Sequence, residues 1–351
     1  MKSLRKFLIV TGIGLAVIAT GAIAYFANNG VLPAFRSYPA QVNRAHELCF
    51  PLGREEIIQK FPIVKSDGVL IAQEVANDLT RGVATELTFP KPSSQVILLD
   101  PQTQNIWSKI SPKLKEIPRL ESAKQWSGAS ASESIDTDRQ INRGQIILLS
   151  RLAGHLANAN RIEEASRVWK LLFLLNRARG EGQWAGARLL ELSEHQKALT
   201  EFVAYAPKWR TSPAYKECSD QWFKTALRKV DYRKFVWNDF SMIHTALEKP
   251  QDLGGSWNTP FGRTLKFASI EPFRSATRAE HLRGYIENYP PLEAEPNSAK
   301  VFDKYIDAVR ASHATSNKFS KDFLSELGPA PRVGAKIESL ERDINLLRSK
   351  L

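Results

Sequence analysis

Apolar residues recur at intervals of three and four along most of this chain, and that spacing predicts helices. Ser66 or Asp67 can cap one, with Val69, Ile71, Ala72, Val75 and Leu79 on a common face before Gly82 ends it. The strongest pattern starts at Arg143. Leu149, Leu152, Ala153 and Leu156 face one way, the pattern breaks near Asn158–Arg161, and Ile162, Ala165, Trp169, Leu172 and Phe173 resume it, which is a helical hairpin. Shorter helices are expected before Pro62 and around Asn105–Ile117. Others are expected after Ser212–Pro213, through Phe235, Phe240, Ile243 and Leu247, and before Pro290. From Asn297 the line Phe302, Tyr305, Ile306, Val309, Phe319, Phe323, Leu327 predicts one helix of about 30 residues. Ile337, Leu340, Ile344, Leu347 and Leu351 then repeat at the 3-4 spacing of a coiled-coil seam.

The interruptions carry the rest of the plan. Arg36–Asn43 reads as a short proline-containing tether, and Gln95–Leu99 is the best strand candidate, in a stretch rich in proline and β-branched residues. Ser127–Asp138 has nothing to bury and reads as a linker or long loop, and Gln251–Arg263 is a glycine-rich loop. The expected fold is mainly α: an N-terminal transmembrane helix followed by an irregular, solenoid-like set of helical hairpins. Residues 1–27 would form a cytoplasmic tip and anchor, 28–126 a tether and N-terminal helical region, and 127–142 the polar linker. Residues 143–328 would form a helical domain and 329–351 a short C-terminal amphipathic helix.

The residues 143–207 carry a further pattern: a leucine and small residues in the first helix, then Arg161-x-Glu163-Glu164-Ala165 before the aromatic Trp169. A shift of 33 places sets Leu156 on Leu189, Ala165 on Ala198 and Trp169 on Phe202, with Pro207 at the end. This resembles tetratricopeptide-like repeats. The glycine expected between paired helices is absent from both copies, and nothing after Pro207 continues the period. The resemblance implies stacked helical hairpins of a kind used to hold partners.

Phe7–Ala27 is a run of 21 residues without a charge, and about 20 suffice to cross a bilayer as a helix. Lys2, Arg5 and Lys6 precede it, which places Met1 in the cytoplasm and the bulk outside. Ala22–Ala24 is also a small-x-small cleavage signature behind a sufficient apolar core, the mark of a signal peptide. Tyr25 and Phe26 carry the apolar run past that cut, and the retained anchor is the reading adopted. Gly12, Ala16, Thr20 and Ala24 recur every four residues, a line along which two such helices can approach, so a homodimer is one expectation.

With 49 Lys plus Arg against 37 Asp plus Glu the net charge is +12, spread along the chain. An exported basic protein is drawn to lipid headgroups, acidic polymers or acidic proteins, and nucleic acid is not expected as a partner. Cys49 and Cys218 lie on the exported side, where a disulfide and two buried thiols are both open readings. No asparagine begins an N-glycosylation triplet, which suits a bacterial envelope.

Chemistry is sparse. The six histidines form no spaced metal pair, and no nucleophile elbow, P-loop or dinucleotide fingerprint occurs, so neither metal nor cofactor is expected. Asp136 and Asp138 sit in the linker and read as solvated charges. Trp209, Tyr215, Trp222, Phe223, Tyr232, Phe235 and Trp237 interleave with Arg210, Lys224, Arg228, Lys229, Arg233 and Lys234. Such a cluster can grip an anionic polymer or lipid surface, or its aromatics can be the buried faces of two helices. Trp209, Arg210, Trp222, Arg228 and Trp237 are the candidate binding residues there, with Gly254, Gly255 and Trp257 as a candidate recognition loop. The function expected is an envelope interaction scaffold, with an enzyme acting on an envelope polymer as the alternative.

Overall fold

A computed structural model of the chain describes residues 2–60, 67–80, 87–88, 90–124, 126, 141, 143–181, 185–205, 210, 212–248, 271–317, 320–321, 324 and 332–350. The protein is mainly α-helical, and no β-strand occurs among the described residues. Two compact units account for the chain. The first comprises Met1–Gly53, Asp239–Glu295 and Lys304–Pro331; the second comprises Arg54–Asn238, Pro296–Asp303 and Arg332–Leu351.

The first unit begins with α1 (Lys2–Asn28) and α2 (Val31–Glu47). Gly30 takes a left-handed φ of 72°, which only glycine adopts without cost, and Asn29 Nδ2 donates to Tyr25 O to close the first helix. Ala16–Asn28 and Val31–Glu47 meet at a bend of 63°. Among the described residues no single helix is long and apolar enough to cross a membrane; this bent pair is so only together, by length and composition.

The tether expected at 36–43 is instead the middle of α2. Pro39 deprives that helix of one hydrogen bond, at a typical cost of about 3 kcal/mol. Burial offsets it: Val31 and Ala34 pack with Ala276 and Ala279 of the helix Phe273–Glu287, flanked by Phe26, Tyr38 and Phe273. Spacing alone did not reveal this, because the buried face of α2 consists largely of small residues.

Deeper in this unit, rings from segments distant in sequence stack on one another. Phe240 lies edge-on to Phe50 at 5.0 Å and parallel to His281 at 5.0 Å, and His281 stacks on His313 at 5.5 Å. His244 Nε2 lies 3.0 Å from Arg278 and 3.1 Å from the Tyr38 hydroxyl. Arginine can only donate, so this nitrogen accepts and the His244 ring is neutral. Burial, reinforced by Arg278, depresses His244 to about 3. The helix expected to run on from Asn297 stops at Ala314. Thr315 and Ser316 bond back to their own helix, and Asn317 Oδ1 accepts from Ser320 N, so short polar side chains compete with the helical ladder there. Phe319 and Phe323 lie outside the described residues.

In the second unit α3 (Arg54–Lys60), α4 (Gly68–Thr80), α5 (Pro101–Ile110) and α6 (Ile117–Glu121) lead to the hairpin of α7 (Arg143–Asn158) and α8 (Ile162–Gly180). Asp100 caps α5 through Thr103 N, with Pro101 in the first turn. The expected hairpin is present, and Asn160 makes its turn in a left-handed conformation, φ 62°. Trp169 and Phe173 of α8 are fully buried, against α9 (Ala185–Ala204) and α10 (Pro213–Ala226). The strand candidate Gln95–Leu99 forms no strand: Gln95 lies in a bend and the residues after it are irregular. Asn158 holds this stretch at the end of α7, its side chain bonding Lys91 O and Ser93 N and its carbonyl accepting from Ile97 N.

The C-terminal helix Val333–Arg348 belongs to this second unit. Ile337 and Ile344, the two most buried members of the supposed coiled-coil seam, pack within the unit, where this helix lies on α9. Asp303 receives Gly334 N and Ala335 N, both at 2.7 Å, and so caps its first turn. Two positions of the seam are therefore used inside the unit, while Leu340 and Leu347 remain half-buried. The linker 127–138, with Asp136 and Asp138, lies outside the described residues.

Candidate functional site

The second unit holds the densest charge network among the described residues. Arg188 and Glu191, three residues apart near the start of α9, are both fully buried and bonded at 2.7 Å. Arg188 also reaches Ala226 O at 2.6 Å and Glu341 at 3.2 Å. Arg228, just past α10, straddles Glu191 with two nitrogens and bonds Glu181 at 2.8 Å through Nε. Asn176 donates to Glu191 O at 2.9 Å and contacts His195 Nδ1 at 2.7 Å. Burial opposes the Glu191 carboxylate, but Arg188 and Arg228 outweigh it and hold the group at about 2. Burial likewise drives His195 down to about 3, so that ring is neutral. A carboxylate this acidic and a histidine this weak a base are poorly suited to moving protons near neutral pH. Their role is to hold α8, α9 and α10 in register.

Gly180 lets the network form. A Cβ there would fall 1.6 Å from Glu191 Oε2, so only glycine lets α8 approach the carboxylate. The same glycine borders a cleft of about 320 Å³ on the outer side of the network. Its lining includes Lys124, Arg177, Arg228, Lys229 and Lys234 against only two carboxylates, Glu181 and Asp231. Asp231 is already held by Arg233 at 2.7 Å, and Glu181 by Arg228. Arg177 lies over the Trp126 ring, its guanidinium carbon 4.2 Å from the centroid, with Nε 3.5 Å from Glu181. Burial, then the nearby Arg228, pulls Arg177 below its usual pKa, as expected where positive charge is in excess. Such a lining attracts one anionic group, carboxylate or phosphate, and a guanidinium held over tryptophan is already positioned to receive it.

Of the candidate binding residues proposed from sequence, Arg228 is at this cleft, joined by Lys229, Lys234 and Phe235 of the same aromatic and basic cluster. Trp222 stacks on Phe173 at 3.6 Å and Trp237 is 4% exposed, so both belong to the core and neither can grip a ligand. Tyr215, Phe223, Tyr232 and Phe235 are buried with them, which makes the aromatic cluster the inner face of two helices. Arg210 is exposed and bonds Lys350 O at 3.0 Å. Trp209, Gly254, Gly255 and Trp257 lie outside the described residues. Cys49 is an exposed free thiol, which removes the picture of two buried thiols; the Cys218 side chain lies outside the described residues. Ala16, Thr20 and Ala24 are exposed, while the surroundings of Gly12 are not among those described. Arg177 and Trp126 escaped sequence reasoning. They lie 51 positions apart on either side of the linker, and no local pattern joins them.

Glu194 and Glu201 of α9 line another hollow with Arg143 and Lys197. Seven positions separate them, about 10 Å along a helix, and Arg143 occupies Glu194 at 2.9 Å. Burial pushes Glu201 up while Ser150 bonds it. Among the described residues no group of three or more metal-ligating side chains occurs. Compared with family models, curated proteins and solved structures, the chain matches none.

Proposed function

We propose that this protein is a membrane-tethered scaffold of the cell envelope, whose helical hairpins hold an anionic component, an acidic polymer or the acidic face of another protein. The observation that carries this reading is the cation-lined cleft beside Gly180: its cations outnumber its acids and both acids are already engaged. The uncharged run Phe7–Ala27, with its basic N-terminal flank, supports the anchor and an extracytoplasmic placement of the remainder. The solenoid-like stacking is supported by the α7–α8 hairpin and the helices α9 and α10 packed on it.

Binding of poly-glutamate and of inorganic polyphosphate to the full chain in a nonionic detergent tests the reading. Affinity should fall as salt rises. The exchange Arg177→Gln with Lys229→Gln should weaken binding by about tenfold through loss of two charged contacts. A double variant that binds both polyanions as the parent does would exclude the cleft as the docking surface.

A further inference from the structure

The first unit contains a different kind of hollow. It lies at the joint of α1 and α2, has a volume of about 550 Å³, and is lined by Asn28, Asn29, Ser37, Gln41, Glu280 and Arg283 among others. That size suits a small ligand or headgroup. Its two charged groups are Glu280, 7% exposed, and Arg283, and they pair at 2.5 Å, so the lining is neutral overall. Two polar atoms in it are buried and lack a partner among the described residues: Gln41 Oε1, an acceptor, and Arg283 Nε, a donor. Buried polar atoms are rarely left unmatched, and each mismatch costs about 1–3 kcal/mol. The missing partner must therefore bring a donor to one side and an acceptor to the other while carrying no net charge.

We propose that this cavity receives an aminoethyl phosphate group, the zwitterionic head of an ethanolamine phospholipid, with its ammonium toward Gln41 Oε1 and Glu280 and its phosphate toward Arg283. Position favours a lipid source, since Asn28 and Asn29 close the apolar helix and border the cavity. In this respect the inference rests on the tether reading. Burial pushes the Glu280 carboxyl up, and an ammonium beside it restores the ionised form. Gly30 keeps the joint tight: a side chain there would press Asn317, which also lines the cavity, at 3.3 Å. A choline head fits the charges but has no N–H for Gln41, so the site discriminates between the two heads.

The test uses the full chain in nonionic detergent, titrated calorimetrically with glycerophosphoethanolamine and glycerophosphocholine. The ethanolamine compound should bind at least about tenfold more tightly. Gln41→Leu and Arg283→Gln should each weaken it by a similar factor, and Gln41→Leu keeps the test decisive if loss of Arg283 disturbs folding. Lys115→Gln, at an exposed residue of the other unit away from both hollows, should leave it unchanged. A second arm reconstitutes the chain in phosphatidylcholine nanodiscs with and without phosphatidylethanolamine and identifies retained lipid by native mass spectrometry. Retention of phosphatidylethanolamine assigns the lipid as source; binding of the free head alone assigns a soluble source and counts against the tether rather than the cavity. Equal affinity for the two heads, or parental affinity in both cavity variants, overturns the proposal.

Discussion

His244 offers a direct test of how the buried rings of the first unit respond to acid. Its pKa is about 3 in the folded protein against 6.5 when exposed, through burial and the facing Arg278. The other neighbours named for it are the Tyr38 hydroxyl and the rings of Phe240 and His281, none of which supplies a negative charge. Below 6.5 the unfolded chain takes up a proton that the folded one refuses, so this contribution to stability is present at neutral pH and lost as pH falls. One pKa unit is about 1.36 kcal/mol, so at about pH 5 the loss is about 2 kcal/mol for this residue alone. His313, held at about 4, and His281, pushed well below its usual value by burial and the other two histidines, act in the same direction. The perturbation is His244→Gln, which keeps an acceptor for Arg278 but does not titrate. Hydrogen exchange of the slowest amides in α2 and in the helix Phe273–Glu287 gives the opening free energy of parent and variant at about pH 7.5 and about pH 5. The variant loses its ring contact with Phe240 at both pH values, so only the change with pH matters. Relative to the parent it should gain about 2 kcal/mol on acidification. A difference that stays constant would mean that His244 is solvated, and the reasoning from burial would fail.

Asp239 should behave in the mirror sense: burial pushes it up to about 7, so its stabilising protonated form is lost as pH rises from about 4 to 7. Asp239→Asn should therefore exceed the parent in stability above neutral pH, by at most about 4 kcal/mol, with the gain vanishing near pH 4; a pH-independent effect in the same exchange measurement counts against it. Gly180→Ala should displace Glu191 and break its buried pairs with Arg188 and Arg228, costing about 3–5 kcal/mol in the second unit. A thermal melt lowered by less than a degree would show that the carboxylate can move aside. Ile344→Ala should cost about 2–4 kcal/mol without altering oligomeric state, measured by melting and sedimentation, because Ile344 is buried within the unit. Loss of a dimer instead would restore the intermolecular seam.

What the sequence by itself determined is whatever depends on neighbours within a few positions. The period through Leu149, Leu152 and Leu156, and again through Ala165, Trp169 and Phe173, set the α7–α8 hairpin, because side chains three and four apart share a face. The hydrophobic faces of α10 and of Tyr232–Glu248 were legible for the same reason, and so was the alternative that their aromatics are core. Helix limits set by competition were not legible. α2 persists through Pro39 because distant alanines pack on it, and the helix from Ala299 stops at Ala314 because Thr315, Ser316 and Asn317 bond locally. The sites lay still further from view. Arg188 and Glu191 are close in sequence, but Arg228 joins them from 37 positions beyond Glu191. Arg177 meets Trp126 across the linker, and Gln41, Glu280 and Arg283 converge on one cavity from opposite ends of the chain. Local periodicity records which face of each helix avoids water. Which faces meet, and which charges and rings they bring together, is decided by long-range packing, and a single sequence carries no periodic trace of it.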